Sequence, residues 1–253
     1  ADEVRTLAAQ TQRVLNDAGN VRGRLVTAYE DNGSYLDERN TRTPLVYGIV
    51  EADLDPDTTV SLSLRHQQNV INGYSIYGLP RYSNGNALDI SRSTSLVQDW
   101  NRHESEMSEA FAEIEHRFNE RWSSTTSVTV SQGSFDQQIA YARRAISPVT
   151  NTGSVFQAAL FRQDEVTSTG LDSHVSGNFD AFGLTHDITV GGTWSRQEAN
   201  TQQATASLRN QPLNIFDVDH HAIAKPARPA WTTDIDMTEE RAGLYANSRL
   251  RLS

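Results

Sequence analysis

The sequence has 253 residues, of which 37% are hydrophobic, and its mean hydropathy is -0.56. The net charge of -10 argues against a general nucleic-acid binder, and the absence of cysteine excludes disulfides, thiolate zinc sites and cysteine nucleophiles. No stretch approaches the roughly 18 apolar residues of a spanning helix, whereas a β-barrel remains open because only alternate strand residues face lipid.

The pattern at the start of the chain does not distinguish a helix from a strand. The spacing of Val4, Leu7, Ala8 and Val14 fits a short helix or a poor strand. Ala1–Glu3 shows no basic n-region leading into an apolar segment, so we expect either a processed chain or a piece of a longer one.

Regular alternation of apolar and polar residues begins at Val21. After a polar hairpin tip, 30–43, Pro44 precedes the next predicted strand, Leu45–Leu54. Thr59–Gln67 and Glu109–Phe118 alternate most regularly, and a long loop from Gln68 to Met107 separates them. A short turn joins the second of these strands to Ser124–Gln132.

The second half continues the pattern less evenly. Residues 135–169 predict strand extensions around a loop at Pro148–Gly153. Ser173–Ala181 and Asp187–Arg196 alternate again across a tight turn at Gly183, where glycine tolerates a conformation costly to other residues. We predict that 197–238 is a polar loop and that 240–253 is the last strand.

These segments predict about eight strands of nine to eleven residues, with short turns at one end and long loops at the other. That length suits a tilted strand crossing a bilayer, and outer-membrane barrels have this asymmetry. The faces opposite the apolar residues carry charged rows, as a wet lumen would require: Arg22, Arg24, Glu113, Glu115, Arg117, Arg249 and Arg251. A soluble antiparallel sheet with one solvated face shows the same alternation, so the pattern alone leaves both open.

Five sequence strings in a fixed order carry a family resemblance. They are LNDAGNVRGRLVTAYEDNGSYLDE (15–38), YGIVEADLDPDTTVSLSL (47–64), YGLPRYSNG (77–85), SRSTSL with DW (91–100) and AFAEIEHRFNERW (110–122). Together they resemble TonB-dependent ferric-siderophore receptors of the bacterial outer membrane, of the pyoverdine and ferrichrome type. The likeness extends more weakly to RAGLYANSRLRLS at the end.

The resemblance implies a fold and a function. Receptors of this family have a TonB box, a plug domain and an antiparallel up-and-down transmembrane barrel of 22 strands with a terminal aromatic residue. This sequence shows no TonB box or plug segment. We therefore expect part of such a barrel, with 1–15 a remnant of the plug-to-barrel junction and 16–253 a partial barrel domain.

The expected activity is binding and import of a ferric siderophore, not enzymatic catalysis. Outer-membrane lipid and, for the full-length parent, the TonB complex are the other expected partners; nucleic acid is not. The fragment alone should not drive coupled uptake. A soluble or surface all-β binding module and a small autonomous eight-strand barrel are the alternatives.

The resemblance also points to ligand-binding residues. Such receptors grip ferric chelates with aromatic rings and cationic groups, which the loop between Gln68 and Met107 supplies as Tyr74, Tyr77, Arg81, Tyr82, Arg92 and Trp100. Trp122 and Trp194 are expected in an aromatic girdle or in packing. Iron would arrive chelated by the siderophore, so no cofactor and no protein metal site is expected.

Two further clusters have other interpretations. Asp217, Asp219, His220 and His221 have metal-binding chemistry, but adjacent histidines in a strand point to opposite sides. The acidic residues between Glu104 and Glu115 include Glu113 and Glu115 on one strand face, as a pair of catalytic carboxylates would require. A charged lumen wall accounts for the same spacing without catalysis.

Overall fold

A computed structural model of the chain describes residues 4–251, which form one antiparallel sheet of nine strands. Within that range no helix is long and apolar enough to cross a membrane. The strands are β1 Val4–Val14, β2 Val21–Gly33, β3 Asn40–Asp55, β4 Thr58–Asn72, β5 Arg102–Asn119, β6 Trp122–Arg143, β7 Val155–Ala181, β8 Leu184–Pro212 and β9 Thr233–Arg251.

Each strand pairs with its neighbours in the chain, in the order β1 to β9. The predicted all-β, antiparallel, up-and-down architecture is therefore confirmed. Among the described residues no pairing joins β9 back to β1, so the sheet is open. The prediction of about eight strands was one short, because Val4–Val14 forms a strand along β2 rather than a helix.

The strands are longer than predicted, and β7 and β8 contain 27 and 29 residues. The prediction of a loop over 197–238 was wrong at both ends, since β8 continues to Pro212 and β9 begins at Thr233. Between Asn200 and Gln203 both sides of β8 are polar, as in Asn200, Thr201, Gln202 and Gln203. The alternation of hydropathy disappears there, while backbone pairing to β7 and β9 continues.

Short and long connections segregate to opposite ends of the sheet. At the end that we call lower, the turns are 15–20, 56–57, 120–121 and 182–183; at the upper end, the loops are 34–39, 73–101, 144–154 and 213–232. In the β3–β4 turn, Asp55 accepts hydrogen bonds from the Asp57 backbone N–H and the Thr58 hydroxyl. These bonds hold the pKa of Asp55 below its ordinary value, the Asp57 bond most strongly.

One face of the sheet carries a continuous apolar band. Val60 pairs with Ile114 in one row of neighbouring strands. Leu62, Ala112 and Val128 form the next row, and Leu64, Ala110 and Val130 form the row above it. The row of Leu62 continues to Leu171, Trp194 and Ala242. We call this set the apolar band. Leu62 and Leu64 are 56% and 69% exposed, so no second layer covers them.

The height of the band matches a membrane. On β7 the alternate residues of this face run from Phe179 to Thr169, which is about 33 Å along a strand at ~3.3 Å per residue. At a tilt of ~45° this spans about 23 Å, close to the ~25 Å apolar belt of outer-membrane barrels. Phe118, Trp122 and Phe179 lie at the lower edge of the band and Trp194 at its upper edge. Trp194 donates a hydrogen bond to Glu240 there, at 2.7 Å.

The opposite side, which we call the polar face, carries the charged rows. Arg22 aligns with Glu51, Ser61 and Glu113, and Arg24 lies one row above. Arg22 also forms an ion pair with Asp53, 2.5 Å between Nη1 and Oδ2. Charged side chains therefore pair with one another along this face, away from the apolar band.

A charge in the band should impair membrane insertion, whereas the same charge on the polar face should not. We expect Leu62→Arg to lower the free energy of unfolding in lipid vesicles by about 1–3 kcal/mol, because a guanidinium inside the apolar band, between the midplane and its upper edge, loses part of its hydration. The matched control is Ser61→Arg, on the neighbouring residue between Glu51 and Glu113. Equal losses in both variants would contradict the assignment of the faces.

Gly177 provides a packing test at the lower edge. A Cβ at this position would overlap the Trp122 ring and lie 2.8 Å from the Arg121 carbonyl oxygen. We expect Gly177→Ala to destabilise the protein by about 1–3 kcal/mol, as overpacking usually does. Gly170→Ala, where no atom lies within 4 Å, is the control. Denaturant unfolding in micelles measures both, and equal stabilities would refute the contact.

Candidate ligand-binding site

Near its upper end the polar face bears a group of aromatic and cationic side chains. His103, Phe135 and Arg162 come from β5, β6 and β7, at positions that alternate with those of the apolar band. Tyr74 and Tyr77 come from the loop 73–101. The aromatic–cationic cluster comprises Tyr74, Tyr77, His103, Phe135, Tyr141, Arg143 and Arg162.

One half of the cluster is a chain of rings. The Tyr74 and His103 centroids lie 4.6 Å apart, and those of His103 and Phe135 lie 4.7 Å apart in an edge-on arrangement. Arg162 places its guanidinium 5.4 Å from the Phe135 ring and forms an ion pair with Asp164 at 2.7 Å. The pair with Asp164 fixes the position of this cation against the ring.

The other half is centred on Arg143. Its guanidinium lies 5.0 Å from the Tyr77 ring and 5.4 Å from the Tyr141 ring, within cation–π range. Arg143 donates a hydrogen bond of 2.6 Å to the Tyr77 hydroxyl, and this bond raises the pKa of Arg143 above its ordinary value. Tyr77 and Arg143 are both exposed, so a ligand can reach them from solvent.

Two buried polar atoms beside the rings have no hydrogen-bond partner. They are Nδ1 of His103 and Nε2 of Gln137, which belong to residues directly opposite each other on β5 and β6. Burial lowers the pKa of His103, which favours the neutral imidazole. Because buried polar groups are nearly always paired, these two atoms are candidate hydrogen-bonding contacts for a ligand.

The cluster is held by a buried amide at the end of the loop. Asn101 is fully buried and donates Nδ2 to the carbonyl oxygens of Tyr74 and Ala140, at 3.1 and 3.0 Å. Its Oδ1 accepts the Ala140 N–H at 2.8 Å. These three bonds fix the backbone of Tyr74 to β6.

Above the cluster, the loops 73–101 and 213–232 pack together on the upper parts of β6, β7 and β8. The resulting loop core comprises Leu96, Ala140, Ile146, Phe156, Ala159, Phe161, Leu208, Leu213, Ile215 and Ile223. Gln98 joins the two loops, because its Nε2 donates to the Asp219 carbonyl oxygen and its Oε1 accepts the Ile223 N–H. The long loops are therefore folded structures.

The structure separates the six loop residues predicted to bind ligand. Tyr74 and Tyr77 lie in the cluster, whereas Tyr82 and Trp100 pack against the loop core and donate hydrogen bonds to Asn151 Oδ1 and the Ile223 carbonyl oxygen. Arg81 donates to the Gly85 carbonyl oxygen. Arg92 lies elsewhere, with its guanidinium 4.9 Å from the Tyr35 ring.

The strand residues of the cluster were missed by sequence reasoning. Phe135 and Tyr141 are aromatic residues at polar-face positions, and that break in the alternation was the available signal. His103 and Arg162 carry no comparable signal, because the sheet register brings them together on either side of Gln137. Arg143 carries none either, because its partner Tyr77 comes from the loop 73–101.

The two other clusters fare differently, and the histidine–aspartate cluster is dispersed. His220 Nδ1 lies 2.8 Å from the Val97 carbonyl oxygen, and His221 Nε2 lies 3.7 Å from Asp99 Oδ2. Within residues 4–251 no group of three or more histidine and acidic residues is arranged to hold a metal ion. Glu113 and Glu115 do share the polar face, in rows with Ser61 and Thr59.

The curated proteins that resemble this chain in sequence include two ferric-pyoverdine receptors. No protein-family model matches the chain. It is 32% identical over 248 residues to the ferric-pyoverdine M114 receptor PbuA of Pseudomonas sp. strain M114, and 28% identical over 243 residues to the ferripyoverdine receptor of Pseudomonas aeruginosa. Each alignment covers 94% of this chain and 29% of the relative. The chain therefore spans less than a third of the length of these relatives.

Solved structures agree. The outer-membrane ferripyoverdine receptor of P. aeruginosa bound to ferripyoverdine superposes with a TM-score of 0.89 at 26% identity, covering 98% of this chain and 33% of that one. The ferric-catecholate import receptor Fiu of Escherichia coli K12, in its closed form, has a TM-score of 0.81 at 14% identity and covers 100% of this chain and 38% of that one. At 14% identity, the similarity to Fiu shows a shared fold alone.

The buried amide of Asn101 should be essential to the upper end. Asn101→Ala leaves the Tyr74 and Ala140 carbonyls and the Ala140 N–H without their partner, which should cost about 2–4 kcal/mol. We expect lower stability to denaturant and faster hydrogen exchange of the Ala140 amide. Asn84→Ala, in an exposed part of the same loop, is the control. Unchanged exchange at Ala140 would contradict this role.

Proposed function

We propose that the chain belongs to the TonB-dependent siderophore receptors of the bacterial outer membrane, and that it forms the part of a receptor wall that contacts an incoming ferric siderophore. The receptor to which this wall belongs would bind the ferric chelate and import it. Because the chain spans 29% of its relative's length, activity, substrate and partners are proposed for the whole receptor.

The observation that carries the proposal is the position of the aromatic–cationic cluster. It lies on the polar face, opposite the side that bears the apolar band, and at the end with the long loops. A ligand arriving from outside the cell would meet Tyr77 and Arg143 first. Stacked rings and guanidinium groups suit a flat chromophore and an anionic metal chelate.

Transport requires more than this wall. The described residues form one sheet and its loops, with no separate layer across the polar face. In this family the plug and the TonB complex are expected to drive import. We therefore propose that this stretch binds ligand but does not transport it alone.

The alternatives have less support. A soluble sandwich would bury the apolar band between two sheets, whereas Leu62 and Leu64 are exposed on a single layer. A small autonomous barrel would pair β1 with β9, and the described residues show no such pairing.

The test is ligand binding by variants of the cluster. The detergent-solubilised chain is titrated with ferric pyoverdine and compared with Arg143→Gln and Tyr77→Ala. We expect each variant to weaken binding about tenfold, which corresponds to ~1.4 kcal/mol, through loss of the cation–π contact and hydrogen bond. Arg121→Gln, at a lower turn where Arg121 pairs with Asp180, is the matched control.

Circular dichroism verifies that each variant keeps its sheet. Unchanged affinity in both cluster variants would contradict the assignment of the site, as would a loss equally large in Arg121→Gln. Absence of ferric pyoverdine binding in the unmodified chain would contradict the proposal that this stretch binds ligand by itself.

A further inference from the structure

A second cavity adjoins the aromatic–cationic cluster at Arg162 and lies between the segment 225–231 and the upper parts of β6 and β7. Its volume is about 590 Å³, and its lining includes Asp136, Gln138, Gln163, Lys225, Arg228 and Trp231. We propose that this cavity binds the phosphorylated sugar headgroup of a glycolipid in the outer leaflet of the membrane.

The cavity concentrates positive charge in an acidic protein. Lys225 is the only lysine of the sequence. Among the described residues, neither Lys225 nor Arg228 has a carboxylate within ion-pairing distance. Arg228 lies 4.0 Å above the Trp231 ring and donates to the Pro229 carbonyl oxygen at 3.4 Å. Two cations without carboxylate partners are the chemistry that recognises phosphate.

The neutral lining suits a sugar. Gln138 and Gln163 present amides, and Asp136 accepts a hydrogen bond from Gln163 Nε2 at 2.9 Å. These groups can exchange hydrogen bonds with hydroxyl groups. Trp231 offers a flat apolar surface against which a sugar ring can pack. The lining also includes Arg162, which already pairs with Asp164. Asp136 is the one carboxylate of the lining, so it reduces but does not cancel the positive charge of Lys225 and Arg228.

The position of the cavity identifies the occupant as membrane-borne. Asp136 and Gln138 alternate with Val128 and Val130 along β6, so they lie on the same face as the apolar band. They are six and eight residues above Val130, about 20–26 Å along the strand, or ~14–19 Å along the membrane normal at ~45° tilt. A phosphate attached directly to a lipid would lie lower. A phosphate on an extended sugar chain reaches this height.

The experiment measures how tightly the full chain in detergent binds each of three probes. They are lipopolysaccharide with phosphorylated core sugars, the same material after chemical dephosphorylation, and phosphatidylglycerol vesicles. We expect the Lys225→Gln, Arg228→Gln double variant to bind the phosphorylated glycolipid at least tenfold more weakly than the unmodified chain. Dephosphorylation should weaken binding to the unmodified chain by a similar factor.

Arg81→Gln, an exposed arginine of another upper loop, is the matched control and should bind normally. Circular dichroism and ferric pyoverdine binding should be unchanged in the double variant, which separates this site from the cluster. Equal glycolipid binding by the double variant and the unmodified chain would overturn the proposal. Equally tight binding of phosphatidylglycerol with the same loss in the double variant would overturn the role of the sugar.

Discussion

The pairing of backbone groups between neighbouring strands is the constraint on which the rest of the structure depends. A bilayer core offers no water, so every N–H and C=O in it must be bonded within the protein. The nine-strand meander satisfies this requirement along its length, apart from its two edges. Paired strands place successive side chains on opposite faces, and the apolar band and the charged rows follow from that geometry.

The sequence predicts this arrangement best where the two faces differ chemically. Thr59–Gln67 was recognised because Val60, Leu62 and Leu64 alternate with polar residues, and the register confirms that they share a face. The continuation of β8 through Gln202 and Gln203 was missed, since above the band both faces are polar and only backbone pairing maintains the strand.

The candidate site was less predictable than the fold. Tyr74 and Tyr77 reach it, but Tyr82 and Trp100 pack into the loop core. The same loop is tied down by Gln98 and Asn101, whose buried amides bond to backbone groups of distant elements. No local pattern encodes such partners. The loops are folded by a few buried polar contacts, and this folded layer determines which aromatic residues remain available to a ligand.

The two faces therefore offer two different chemistries to two environments. On the polar face, rings and guanidinium groups are proposed to bind a soluble chelate from outside. On the face of the apolar band, the lower rows meet lipid chains, and the cavity beside Lys225 and Arg228 lies above them. One polypeptide segment can thus be matched to the ligand and to the membrane independently, because alternate residues belong to different surfaces.

Cysteine accessibility scanning along β6 tests this account most directly, because the sequence has no cysteine of its own that would also be labelled. Single cysteines at 127–131 in the membrane-inserted protein would be treated with a membrane-impermeant maleimide. The account predicts protection at Val128 and Val130 and labelling at Ser127, Thr129 and Ser131. Uniform labelling, or labelling at Val128 and Val130 with protection at the odd positions, would contradict it.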